Sequence, residues 1–417
     1  MVDIYWVEIP NSFGSDSDIL VVKISSKGKE RWARTYGGNG GDFIKSIIQT
    51  TDGGYVLAGY TNSFNSEKNN ILVMKTDGLG NIQWAKIYKG TDNNFISSLT
   101  IAKDGGYVLA GHILNGHPEV IKLDSNGKFL WAKVYKIGDS ADISSIISTN
   151  DGGYILAGHR YLIDKNYPRA WGGGGSEYHF HDLLIMRLDS KGDIEWAKTY
   201  RVKEWNEFSS IIATNEGYIL TGNTQSFGSG HIPEGLVIKL DFNGAVRWAR
   251  TYKGEEIRSI TTANDGGYVL TGDSSVSGKG DTLAISLVKI DSSGNIEWAK
   301  AYEDGSYIKA SSILTADDNG YIIAGESTSL GTGGFDILVI KTDPDGNIAF
   351  TQDGLIMKTI NREEIVSSKI NLQNLTIENV KNDIKIENRS LSSFDILSSL
   401  SVSTPNLITG FYGNSCK

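Results

Sequence analysis

The chain has 417 residues, and 49 acidic against 40 basic side chains give it a formal net charge of −9. That balance excludes a general nucleic-acid binder, which needs a basic face to displace counterions. A single cysteine, Cys416, excludes an intrachain disulfide and any cysteine-built zinc cluster.

Taken in chain order, the N-terminus (MVDIYWVEIP) carries neither a basic region nor an apolar core of the signal-peptide kind, so no export signal is visible. Apolar runs such as Ile71-Leu72-Val73-Met74 stay far below the ~18 residues that a membrane span needs. Gly, at 49 residues, exceeds its usual share of ~7%. Pro, at 6, is too scarce for Pro-rich low complexity.

An internal repeat organises most of the chain. Trp32, Trp84, Trp131, Trp196, Trp248 and Trp298 each open a Trp-Ala-Lys, Trp-Ala-Arg or equivalent step, and Phe350 takes the seventh place. A second mark, Asp-Gly-Gly-Tyr, stands at 52–55, 104–107, 151–154 and 265–268, and decays to Asn-Glu-Gly-Tyr at 215–218 and Asp-Asn-Gly-Tyr at 318–321. A Gly follows four residues after each Tyr: Gly59, Gly111, Gly158, Gly222, Gly272 and Gly325.

Each unit reads as four short strands. In the second unit, strand A lies near 43–50, B at 55–60, C at 71–76 and D at 81–88. The β-branched and aromatic content and the Gly/Asp/Asn punctuation are strand-and-turn chemistry, and no segment sustains a helical period. Four strands per ~50 residues is the blade of a β-propeller. Seven marks predict seven blades, the first incomplete. Matching Asn11-Ser12-Phe13 to Asn62-Ser63-Phe64 makes Ile4–Ile9 strand B of that blade, with Glu8 in the place of the strand-B Gly.

An unpaired edge is a liability, so a distant segment is expected to supply the missing strand. Residues 363–373, whose Ile365-Val366-Ser367-Ser368 resembles the strand A texts, are the expected closing strand, with 375–386 as competitor. Residues 1–373 thus form the propeller. The Ser/Asn-rich tail, 374–417, wraps it, forms a small β appendage or lacks fixed structure.

Spacing locates a variable end. Seven strand-C basic residues (Lys23, Lys75, Lys122, Arg187, Lys239, Lys289, Lys341) each precede the Trp or Phe mark by nine residues. From the strand-B Gly to that basic residue the interval varies widely, so length variation sits in the B–C loops. Loops on a rigid scaffold carry binding and catalysis. The repeated Asp-Gly-Gly, strand-B Gly, docking Trp and strand A Ser (Ser46, Ser98, Ser145, Ser209, Ser259, Ser312) read as structural.

The text DGGYVLAG…ILVMKTDGLGNIQWAKIY, over about residues 4–352, resembles the DGGY-type propeller repeats of archaeal and bacterial proteins. It is more distantly similar to the tryptophan-docking repeats of quinoprotein-like propellers. The resemblance implies the fold and favours a secreted or cell-surface location. The quinoproteins' adjacent cysteine pair is missing here, so quinone binding is not carried over and no cofactor is expected.

All six His (His112, His117, His159, His179, His181, His231) fall at strand B ends or in B–C loops of the third to fifth blades. The longest loop, 160–182, adds Trp171, Tyr167 and Tyr178, and Trp205 follows in the next D–A connection. Three readings stay open. These are loop residues with no joint role; or Trp171, Tyr178, Trp205 and Tyr167 form a patch for a protein or glycan; or His159, His179, His181 and His231 hold a metal, with Zn²⁺ as the fitting ion. The favoured role is a non-enzymatic binding scaffold recognising a protein or glycan around residues 160–182. A metal-dependent hydrolase or lyase, and a structural element of a surface assembly, are the alternatives.

Overall fold

A computed structural model describes residues 4–9, 18–25, 30–63, 68–90, 93–114, 116–138, 140–164, 178–202, 206–225, 234–275, 283–328 and 336–351, and six short strands beyond them. Among the described residues there is no helix, and no helix long and apolar enough to cross a membrane. The chain is an all-β propeller of four-stranded blades.

The first sheet holds β1 (Ile4–Ile9), β2 (Asp18–Ile24) and β3 (Glu30–Gly37). The second holds β4 (Asp42–Gln49), β5 (Tyr55–Thr61), β6 (Asn70–Thr76) and β7 (Ile82–Lys89). The third is β8 (Asn94–Ile101), β9 (Tyr107–Ile113), β10 (His117–Leu123) and β11 (Phe129–Lys136). The fourth is β12 (Ser140–Ser148), β13 (Tyr154–Asp164), β14 (Tyr178–Leu188) and β15 (Ile194–Val202). The fifth is β16 (Asn206–Thr214), β17 (Gly217–Thr224), β18 (Glu234–Leu240) and β19 (Val246–Tyr252). The sixth is β20 (Glu255–Thr262), β21 (Tyr268–Ser275), β22 (Leu283–Ile290) and β23 (Ile296–Glu303). The seventh is β24 (Ile308–Thr315), β25 (Tyr321–Ser327), β26 (Asp336–Thr342) and β27 (Ile348–Thr351). Six sheets therefore carry the complete A–B–C–D unit, and the first carries B, C and D.

Buried apolar clusters fill each junction between successive sheets. One more joins the ends of the series: Leu20, Val22 and Ile24 of the first sheet pack against Ile322 and Val339 of the seventh. The A strands of neighbouring sheets adjoin one another, which puts them innermost.

The docking Trp packs between sheets as expected, and its partner is a glycine. A Cβ on Gly127 would lie 2.8 Å from the Trp84 ring, and the same holds for Gly192 on Trp131 and Gly346 on Trp298. These glycines occupy the left-handed position of the C–D turn, with φ of 72°, 78° and 73°. The Tyr four residues after each Trp completes the clamp. Tyr36, Tyr88, Tyr135, Tyr200, Tyr252 and Tyr302 donate to the carbonyls of Gly80, Gly127, Gly192, Gly244, Gly294 and Gly346 at 2.5–2.8 Å.

The strand-C basic residue pins the A–B turn of its own sheet. Lys122 meets Asp104 at 2.6 Å, Lys239 meets Glu216 at 2.6 Å and Lys341 meets Asp318 at 2.7 Å. Lys75 pairs likewise with Asp52, and Arg187 with Asp151. In the first sheet, where strand A and its turn are missing among the described residues, Lys23 donates to the Gly78 carbonyl of the second sheet at 3.0 Å.

Two expectations are corrected. Within residues 363–373, the described residues do not complete the inner side of the first sheet. Within them β29 (Ser367–Lys369) pairs with the outer edge of β19, Arg250 opposite Lys369. The chain leaves β27 at the rim, where the free outer edges of the D strands are the nearest unpaired backbone. The Ser-Ser text marks inner strands only when it follows a D–A connection.

The tail as a whole steps backward round the sheets. β28 (Lys358–Asn361) adds to the sixth sheet and β29 to the fifth, then β30 (Leu375–Asn379) to the fourth and β31 (Lys385–Arg389) to the third. β32 (Ser392–Asp395) adds to the second and β33 (Ser401–Ser403) to the first. Among the described residues the outer edge of β27 has no such strand.

The second correction is one of register. Val7 lies opposite Leu20 as Gly59 lies opposite Leu72, so Val7 rather than Glu8 takes the strand-B Gly place. Elsewhere that Gly is obligatory. A Cβ on Gly59 would come within 2.0 Å of the Phe43 carbonyl oxygen, at the bulge between Ile44 and Ser46. In the first sheet no described strand A stands there to clash.

Candidate functional site

The site follows from comparing two successive rungs of the A–B strand pairs. In the first rung each of the second to seventh sheets has Gly on strand B opposite an apolar residue on strand A: Ile44, Ile96, Ile143, Phe208, Ile257 or Ala310. One residue further along strand B, at the end that carries the B–C loops, this uniformity is lost. The pairs are Phe43 with Tyr60, Phe95 with His112, Asp142 with His159, Glu207 with Asn223, Glu256 with Asp273 and Lys309 with Glu326. Glu8 shares this register in the first sheet.

In the second and third sheets the rung is aromatic. Phe43 stacks on Tyr60 at 5.0 Å between centroids, Tyr60 meets Phe95 edge-on at 5.4 Å, and Phe95 stacks on His112 at 5.2 Å. Burial lowers the His112 pKa against the attraction of Asp142.

From the fourth sheet onward the rung is polar, and in the fourth, fifth and sixth sheets its strand-B member clasps the next sheet. His159 Nε2 accepts the Phe208 backbone N–H at 2.7 Å. Asn223 Oδ1 accepts the Ile257 N–H at 2.7 Å, and Asp273 Oδ1 accepts the Ala310 N–H at 2.9 Å. Three different side chains thus perform one task, satisfying a buried inner-strand donor across a sheet junction.

This settles the chemistry of His159. With Nε2 accepting, Nδ1 carries the proton and donates to Asp142 Oδ1 at 3.0 Å. Tyr161 donates to the other Asp142 oxygen at 2.9 Å. Burial works to raise the Asp142 pKa, but the hydrogen bonds from His159 and Tyr161 hold it below the usual carboxylate value. Both ring nitrogens of His159, one of the expected metal ligands, are engaged in these hydrogen bonds. His181 lies nearby, its ring edge-on to Tyr161 at 4.6 Å. His179 sits opposite Ile163 in the β13–β14 register, and Tyr178 opposite Asp164. Among the described residues no group of three or more His, Cys, Asp and Glu is arranged to hold a metal ion. Tyr167, Trp171, Trp205 and His231 lie outside the described residues.

A pocket of about 310 Å³ opens between the inner strands of the fifth, sixth and seventh sheets. Glu207, Ser209, Arg258, Lys309, Ser311 and Glu326 line it. Arg258 is held from behind: its Nε donates to the buried Asp273 at 2.6 Å, and Glu256 lies 3.4 Å from its Nη2. Burial, reinforced by Asp273 and Glu207, raises the Glu256 pKa despite Arg258 and Lys309. The Ser209 hydroxyl donates to the Ile257 carbonyl at 2.7 Å, leaving its oxygen free to accept.

Sequence spacing pointed to the end that carries the B–C loops but missed this rung. The signal was present: the residue after each strand-B Gly changes type from repeat to repeat while the Gly before it does not.

No family model and no curated protein matches the chain. Among solved structures it is similar to the crystal structure of Sqt1 from Chaetomium thermophilum, at 13% identity over 76% of this chain and 73% of that one, with a TM-score of 0.44. It is also similar to a variant of the apocarotenoid oxygenase of Synechocystis, at 10% identity over 89% of this chain and 96% of that one, with a TM-score of 0.47.

Proposed function

We propose that the chain is a non-enzymatic binding propeller that recognises a protein or glycan through the end carrying its B–C loops. The seven sheets are the blades of one closed ring. Support for the ring comes from the apolar cluster that joins the seventh sheet to the first.

The observation that carries the functional reading is the contrast between rungs. Clamp, turn and Gly rung repeat from sheet to sheet, as packing into one ring requires. The rung at the B–C end does not repeat, and packing does not explain its passage from Phe43, Tyr60 and Phe95 to Glu207, Lys309 and Glu326. Diverse side chains on a rigid frame are what a recognition surface needs. In this reading Trp171, Tyr167, Tyr178 and Trp205 extend the surface with aromatic faces suited to sugar rings or apolar protein side chains.

The test is a glycan array and a peptide array probed with the purified chain and with Trp171→Ala, Trp205→Ala and Lys309→Ala. Loss of the wild-type signal in these variants, at unchanged thermal stability, supports the reading. Full retention in all three contradicts it.

A further inference from the structure

The pocket between the fifth, sixth and seventh sheets has a charge arrangement that narrows its ligand. Lys309 and Glu326 face each other across β24 and β25, yet neither takes part in an ion pair among the described residues. Glu207 lines the same pocket from β16 and likewise has no ion pair among the described residues. Arg258 gives Nε to Asp273 and turns Nη2 toward Glu256, which leaves Nη1 without a partner among the described residues. Two cationic and two anionic groups therefore line one small pocket, with the Ser209 and Ser311 hydroxyls beside them.

A simple anion there would meet Lys309 and Arg258 but also Glu207 and Glu326. A simple cation would meet the reverse. Placing either against two like charges costs affinity. A ligand that brings both signs satisfies both sets. The volume lies at the lower limit for small-molecule sites, ~300 Å³, which suits a molecule the size of an amino acid or dipeptide.

We propose that this pocket binds a small zwitterion, its carboxylate taken by Lys309 and Arg258 and its ammonium by Glu207 and Glu326. Asp273 acts as a positioning residue. It is buried and anchored by the Ala310 N–H, so it fixes the Arg258 guanidinium before the ligand arrives. A pre-ordered fork costs less entropy on binding than a free one. The proposal rests on the reading of the B–C end as the recognition face and names what one part of that face takes.

The test is titration at low salt, by calorimetry or NMR, with four probes. Alanyl-alanine carries both charges, N-acetyl-alanyl-alanine only the carboxylate and alanyl-alaninamide only the ammonium; a neutral disaccharide carries neither. The free dipeptide is expected to bind at least about tenfold more tightly than either blocked form, the effect of losing one charge-assisted contact of ~1.4 kcal/mol. Lys309→Ala is expected to abolish the preference over the amide, and Glu326→Gln the preference over the acetylated form. Both side chains are half-exposed, and near-UV circular dichroism checks that the variants fold.

Equal binding of free and blocked forms overturns the proposal, as does absence of dipeptide binding to the folded wild-type chain. If the dipeptide fails while the array signal is still lost in Trp171→Ala, Trp205→Ala or Lys309→Ala, the zwitterion is wrong and the recognition face stands. If the array signal is also retained in all of them, both fail.

Discussion

The Tyr200 hydroxyl donates to the Gly244 carbonyl at 2.7 Å, tying the outer strand of the fourth sheet to the C–D turn of the fifth. Tyr200 is fully buried, and burial pushes its pKa far above the ordinary phenol value, so it stays a donor throughout the working pH range. Tyr200→Phe leaves the carbonyl without this donor. It is expected to cost about 1–3 kcal/mol in chemical denaturation, the penalty for an unsatisfied buried acceptor. A change below a few tenths of a kcal/mol would show that the clamp contributes nothing to stability.

Two glycines six residues apart separate two kinds of strain. Gly53 has φ of +82° with open space around it, so Gly53→Ala costs only the left-handed conformation, about 1–2 kcal/mol. Gly59 faces the Phe43 carbonyl at 2.0 Å from where a Cβ would stand, so Gly59→Ala forces strands A and B apart. It is expected to cost about 3 kcal/mol or to prevent folding. Equal denaturation midpoints for the two variants would contradict this ranking. The decayed turn at 318–320 follows the same rule. Asn319 takes the left-handed place with φ of 66°, and Asn is a side chain that tolerates it.

The A–B turns predict the acid limb of stability. Lys75, with Thr50, holds the Asp52 carboxyl down at about 2, and the Asp265 and Asp318 carboxyls are lowered by Lys289 and Lys341. A carboxylate whose folded pKa lies below its unfolded value contributes stability above the unfolded value. That stability is lost as pH falls through the folded one. The thermal midpoint is therefore expected to drop between about pH 4 and pH 2, and Asp52→Asn to flatten part of the slope. Each pair is partly exposed, so each share is small and the drop is the sum over sheets. A midpoint constant from pH 5 to pH 2 would contradict the assignment.

Much of this architecture is legible in the sequence because each repeat solves the same packing problem. Trp84 must meet Gly127, and Lys122 must reach Asp104, so the same letters recur at the same spacing. The tail escapes such reading. Its strands pair through backbone along outer edges, which accept Ser367-Ser368-Lys369 as readily as Leu375-Thr376-Ile377. His159 escapes such reading for the opposite reason. His159, Asn223 and Asp273 do the same structural work, yet only the histidine suggests a metal. Lys309 and Glu326 lie in adjacent strands seventeen residues apart, and no short motif joins them.

The tail gives a local prediction. Outward-facing amides of β7, β11, β15, β19 and β23 bond to tail strands, whereas β27 has no such partner among the described residues. In hydrogen exchange, outward-facing amides at 348–351 are expected to exchange faster than those of the tail-paired stretches 86–89 and 198–202. Equal protection would mean that another strand covers β27.

A repeated frame holds the molecule together, and the variable rung is the proposed recognition surface. The most direct measurement sets Lys309→Ala/Glu207→Gln beside Tyr200→Phe, and records array binding and thermal midpoint for both. The predicted result is crossed: the rung variant keeps its midpoint and loses binding, and the clamp variant loses midpoint and keeps binding. If the rung variant binds like wild type, the variable rung is not the recognition surface.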